Sequence, residues 1–126
     1  MKRAWIGFLL LLVLLGSSIL FSQLMVRIHE PVEADLQQAA ECAALGDWVN
    51  ADRFFLQAKD HWKKWEHFRA CFADHTPVEE ADADFALLEV YSQMREDAAF
   101  AAGCQELARK TAAVGEAHEF VWWNIF

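Results

Sequence analysis

Residues 47–72, "DWVNADRFFLQAKDHWKKWEHFRACF", read as one long amphipathic helix and commit the chain to an all-helical architecture. At about 100° per residue, Trp48, Ala51, Phe54, Phe55, Ala58, Trp62, Trp65, Phe68 and Phe72 fall within one broad stripe. Arg53, Lys59, Asp60, Lys63 and Lys64 take the remaining surface. That periodicity makes the aromatics the buried side. A buried aromatic contributes on the order of 2 kcal/mol, and a small domain needs several of them. Trp62 and Trp65 are therefore expected in the core, and Asp60 can pair with Lys64 one turn further on.

Helix signals continue on both sides. Downstream, "DHTPVEE" (residues 74–80) has the form of a capping box. Thr76 can accept from the Glu79 amide while Glu79 reaches back to the Thr76 amide, and Pro77 suits the first helical position. His75 can hydrogen-bond across the bend or cap the last carbonyls of the preceding helix. A further helix is predicted to about Glu96, and Asp97 can cap another that ends around Ala117. Upstream, Gly46 stops a helix predicted to begin around Pro31, with Val32, Leu36, Ala39, Ala40 and Ala43 on one face, and Asp47 caps the helix that follows. A shift of fifty residues lays Asp47, Ala51 and Ala58 on Asp97, Ala101 and Ala108. Alternating apolar runs are absent, so a sheet has no support. The expected fold is all-α: an N-terminal transmembrane helix followed by a small bundle of about four helices in two hairpins.

The first quarter of the chain is a different material. Nothing from Ala4 to Val26 is charged, and at 1.5 Å per residue this run makes a helix of roughly 35 Å, against a hydrocarbon core of about 30 Å. Lys2, Arg3 and the α-amine precede it, whereas Glu30, Glu33 and Asp35 follow Arg27. The positive-inside rule then puts the N-terminus in the cytoplasm and the remainder outside. A cleaved signal peptide is the rival, because Gly16-Ser17-Ser18 would suit cleavage, but Ile19-Leu20-Phe21 resumes the apolar run where such a region turns polar. The expected division is an anchor over 1–28 and an extracytoplasmic domain over 30–126, in a single-pass protein of the cell membrane.

From Glu30 onward the chain carries all nineteen acidic residues and eight of the eleven basic ones. Such a surface repels phosphate backbones, which excludes nucleic acid as a partner. Cys42, Cys71 and Cys104 form no CxxC and read as small apolar residues, with a disulfide permitted by the compartment. His67, Cys71 and His75 stand at i, i+4, i+8 and form a weak metal candidate. About 12 Å separates the outer two on a straight helix, so one ion cannot take all three. No metal or cofactor is therefore expected. No GxSxG, Walker loop or HExxH is present, and the carboxylates Glu79, Glu80, Asp82 and Asp84 at a helix start answer to the helix dipole. An enzyme is not expected.

"EFVWWNIF" (residues 119–126) is too apolar to stay loose in water. It is expected to fold back over the hairpins and close the core. An exposed patch for a partner and insertion of Trp122 and Trp123 at a membrane interface remain as alternatives.

A positive N-terminus, one membrane helix, a Gly-Asp-Trp break, a tryptophan-bearing helix leading to "FADHTPVEEADADFALL" (residues 72–88) and a final "NIF" (residues 124–126) together resemble an uncharacterised bacterial family, domain-of-unknown-function family 4363. The resemblance spans essentially the whole chain. It implies recurrence of the Trp65 position, the Asp74-His75 pair and Asn124, a small singly anchored extracytoplasmic helical protein, and an integral membrane partner. It implies no activity. Val121-Trp122-Trp123 before Asn124 departs from the family pattern. The preferred function is thus a non-enzymatic accessory protein assisting a membrane partner. The alternative is an extracytoplasmic sensor for a small ligand or metal, built on His67 and Cys71. Homo-oligomerisation is left open.

Overall fold

The structure, a computed structural model, describes the backbone of residues 1–72 and 75–125 and the side chains of residues 1–71 and 76–114. Its elements are α1 (Lys2–Ala44), α2 (Trp48–Lys64), α3 (Glu66–Phe72), α4 (His75–Met94) and α5 (Asp97–Ile125). The fold is all-α, as expected. Helices α1 and α2 form one hairpin, α4 and α5 the other, and α5 packs along α1 more extensively than any other pair of helices.

Pro31 does not begin a helix. It lies inside α1, which runs unbroken for 43 residues and merges the expected anchor with the first bundle helix. Proline has no amide hydrogen for the Arg27 carbonyl, and in a helix interior this costs about 3 kcal/mol. Here Pro31 and Arg27 are both exposed, so water can serve the freed carbonyl. The opposite side, with Ile28, His29 and Val32, is buried and holds the helix through the proline. By length and composition α1 could cross a membrane.

Other boundaries also move. The helix expected from Trp48 to Phe72 ends at Lys64, with Trp65 as its C-cap, and α3 restarts at Glu66. Asp60 and Lys64 make no ion pair among the described residues; the Lys64 ammonium instead sits 5.8 Å from the centre of the Trp65 ring. Thr76 and Pro77 lie inside the first turn of α4, so Thr76 is not its cap and Pro77 is not its first residue. Pro77 is still among the first four positions, whose amides have no acceptor within the helix, so an earlier start forfeits no bond. Asp97 is likewise the first residue of α5 rather than its cap, and α5 continues past Ala117 to Ile125, where no proline or glycine intervenes.

Both hairpin turns close in the same way. The Gly46 amide donates to the Ala43 carbonyl (3.0 Å) and the Asp47 amide to the Cys42 carbonyl (2.9 Å). Arg95 donates to Ser92 and Glu96 to Tyr91, each at 3.1 Å. These are the paired bonds of a Schellman motif, which needs a left-handed residue at its apex. Gly46 supplies it at φ 76°, whereas the second turn uses Arg95 at φ 55°. A side chain in that conformation costs about 1 kcal/mol. Arg95 is held there by the Asp52 carboxylate at 2.8 Å and by the Trp48 ring, 4.9 Å from its guanidinium carbon.

Trp48, Phe100, Phe55, Phe85, Trp62 and His29 form a continuous chain of ring contacts through the bundle, with centroids 5.1–6.1 Å apart. Facing it, α1 contributes the buried small residues Ala39, Ala40 and Ala43. Polar ties set the register. Asp47 caps α2 as expected, accepting from the Asn50 amide at 3.3 Å. Asp52 accepts from Ser92 (2.7 Å), Lys59 pairs with Glu89 (2.8 Å), and Trp62 Nε1 donates to Asp82 (2.6 Å), which makes α2 and α4 antiparallel. Lys110 pairs with Asp84 at 2.8 Å across α4 and α5.

Phe100 is fully buried where the two hairpins meet. Phe100→Ala is expected to lose about 3–5 kcal/mol, read as a lowered melting temperature by circular dichroism in detergent. Val49→Ala, at an exposed position, should leave it unchanged.

Candidate functional site

The polar centre of the fold lies around Trp62. Its ring is buried on α2, with Phe85 of α4 on one side at 5.8 Å and the His29 imidazole meeting it edge-on at 5.8 Å. A carbonyl can only accept, so His29 Nδ1 donates to the Met25 carbonyl at 2.7 Å. The guanidinium of Arg69 stacks on the indole, 3.6 Å from its centroid, and Nη2 donates to the Trp62 carbonyl. This doubling-back is possible because the chain breaks at Trp65: α3 returns Arg69 over the residue seven positions earlier.

Arg69 is 1% exposed. Its Nε and Nη1 have no hydrogen-bond partner among the described residues. Burial lowers its pKa to about 10, with Asp82 and then Glu66 acting in the opposite sense. It therefore stays cationic at neutral pH, a buried charge stabilised by an aromatic face and a carboxylate. Beside it opens a cleft of about 210 Å³ lined by Lys59, Trp62, Lys63, Glu66, Asp82 and Phe85. Lys59 and Asp82 are engaged by Glu89 and Trp62, so the cleft presents a mixed-charge surface.

The sequence-predicted residues separate. Trp62 is in the core, whereas Trp65 is half-buried with its ring edge-on to Phe68 at 6.0 Å. Thr76 and Glu79 are exposed on the first turn of α4. Among the described residues no three His, Cys, Asp or Glu side chains gather as metal ligands, and His67 and Cys71 are both exposed on α3. The side chains of His75, Trp122, Trp123 and Asn124 lie outside the described residues; the backbone of the last three belongs to α5. All three cysteines are free. Cys104 is buried and Cys42 half-buried, while Cys71 is open to solvent and does not act as a small core residue.

Arg69 and His29 escaped the sequence reading. The spacing from Trp62 to Arg69 is one heptad, two helical turns along one face, but an arginine there reads as surface unless the helix is known to break between them.

Residues 19–125 match the model of a family described as Domain of unknown function (DUF4363). The chain belongs to this family. Neither a curated protein nor a solved structure matches it. Membership in the family is thus consistent with the all-helical fold and supplies no chemistry for the Trp62 centre.

Two outcomes test this geometry. Asp82→Asn leaves Arg69 charged without the carboxylate that chiefly offsets its burial, and is expected to cost about 1–2 kcal/mol. In an Arg69→Met background that loss should shrink; strictly additive effects in the double-mutant cycle would contradict the coupling. Burial also pushes the Cys104 thiol up to about 12. Thiolate is then nearly absent at about pH 8 and rises only in strong alkali, so Cys104 should resist a thiol reagent until the chain is unfolded.

Proposed function

We propose that this chain is a single-pass, membrane-anchored accessory protein without enzymatic activity. Its N-terminus is cytoplasmic, its bundle is extracytoplasmic, and it assists an integral membrane partner. The observation that carries the reading is the bare apolar surface of α1. Trp5, Ile6, Phe8 and the run from Leu9 to Leu14 are all more than half exposed. So large an apolar surface is unfavourable in water and suits a bilayer. The orientation rests on Lys2 and Arg3 before the run and the acidic residues beyond it.

The accessory role is supported by what the bundle offers. Its core is closed by its own aromatics, Lys59, Arg95 and Lys110 are each tied to a carboxylate on a neighbouring helix, and its acidic surface disfavours nucleic acid. The sensor alternative on His67 and Cys71 draws on no convergent ligand set among the described residues.

Gentle detergent extraction of the full-length tagged chain from its own membranes, followed by mass spectrometry, tests the proposal. An integral membrane protein recurring at stoichiometric level is the expected result. Recovery of the chain in the soluble fraction, or of the chain alone from the membrane fraction, would overturn it.

A further inference from the structure

We propose that the foot of the bundle, α3 together with the last two turns of α5, is seated in the outer leaflet against the anchor and takes lipid as its direct partner. The inference rests on the reading of residues 4–26 as the membrane span.

The first observation is that α1 meets protein and solvent at the same height. Leu15, Ser18, Phe21, Ser22 and Met25 recur at helical spacing and are half-buried or buried, so one face is covered from Leu15 upward. Between them Ile19, Leu20 and Leu24 are 50%, 69% and 41% exposed. The outer half of the apolar run therefore has one protein-covered face and one bare apolar face. If lipid covers the bare face, the elements on the other face stand at lipid depth.

The depth follows from helix rise. Ala4 and Phe21 are separated by roughly 25 Å of helix, so with Lys2 and Arg3 at the inner surface Phe21 lies roughly 5 Å inside the outer boundary of a 30 Å core. The Phe21 ring packs on Phe68 of α3 at 5.9 Å, and Phe68 meets Trp65 at 6.0 Å. Two phenylalanines thus meet just inside the hydrocarbon boundary, with the Trp65 ring beside them close to the interfacial belt in which tryptophan is enriched.

The reach of α5 agrees independently. Trp48 Nε1 donates to Asp97 at 2.7 Å, so α5 starts level with the far end of α1 and returns along it. Its 29 residues extend about 42 Å, and the same rise counted back from Ala44 ends near Gly16. The covered face of α1 ends at Leu15, one residue away. On this register residues 120–125 stand level with residues 16–21. The change from polar to apolar composition between Glu119 and Phe120 therefore falls at the height of Phe21. Because the bundle carries an excess of acidic residues, with Glu66 exposed on α3 itself, the seating needs no anionic headgroup and rests on the rings of Phe68 and Trp65.

The test uses the full chain in phosphatidylcholine vesicles. A nitroxide is placed on native Cys71 in a Cys42→Ala/Cys104→Ala background, and separately on Trp122→Cys with Cys71→Ser added. Labels on Leu10→Cys and Val49→Cys mark the membrane and water. Collisions with oxygen, which concentrates in lipid, are compared with those of a water-soluble nickel chelate. Labels at 71 and 122 are expected to favour oxygen several-fold over the Val49 label. If either matches Val49 while Leu10 reads as lipid, the seating is wrong. If Leu10 reads as water, the anchor is wrong and the seating falls with it.

Discussion

Helical hydrogen bonding carried past Pro31 makes one rod of the apolar N-terminal run and the first helix of the bundle. A proline interior to a helix ordinarily breaks or kinks it. Here Pro31 and Arg27 face outward while Ile28, His29 and Val32 are packed, so the missing bond falls on the side where water can replace it. The consequence is mechanical. Whatever holds residues 4–26 also fixes the height and tilt of the aromatic core, with no flexible linker between them.

On that rod the remaining helices are positioned by a few directional bonds rather than by apolar area alone. Trp48 to Asp97 ties the two hairpin turns together, Asp52 gathers Ser92 and Arg95, and Trp62 to Asp82 fixes the other end of α2 against α4. Apolar faces could slide by a helical turn at modest cost, whereas these bonds are made in one register only. The left-handed Arg95 belongs to the same scheme: about 1 kcal/mol of backbone strain is offset by its contacts with Asp52 and Trp48.

Much of this was legible in residues 47–72. The stripe of Ala51, Phe55, Ala58 and Trp62 is buried as its period implies, Asp47 caps α2, and Gly46 ends the preceding helix. What escaped had tertiary causes. Pro31 reads as a helix start because sequence does not reveal which face of the helix will be packed. Thr76 reads as a cap because its pattern is ideal, yet nothing in that pattern forbids an earlier start. The break at Trp65 carries no glycine or proline, and without it Arg69 has no route to the Trp62 ring. The row of His67, Cys71 and His75 drew attention by residue type, while the buried polar centre formed around an arginine and His29 that the pattern assigned to no site. Helix α5 runs on to Ile125 because no proline or glycine stops it after Ala117.

The unbroken rod is most directly tested by a distance measured along it. With the native cysteines replaced, spin labels on Leu12→Cys and Ala44→Cys in lipid nanodiscs bracket Pro31. A straight helix separates these positions by about 48 Å, and double electron–electron resonance should return one narrow distribution near that value. A broad distribution, or one centred well below it, would mean that the helix breaks at Pro31 and that the bundle is hinged on the apolar N-terminal run.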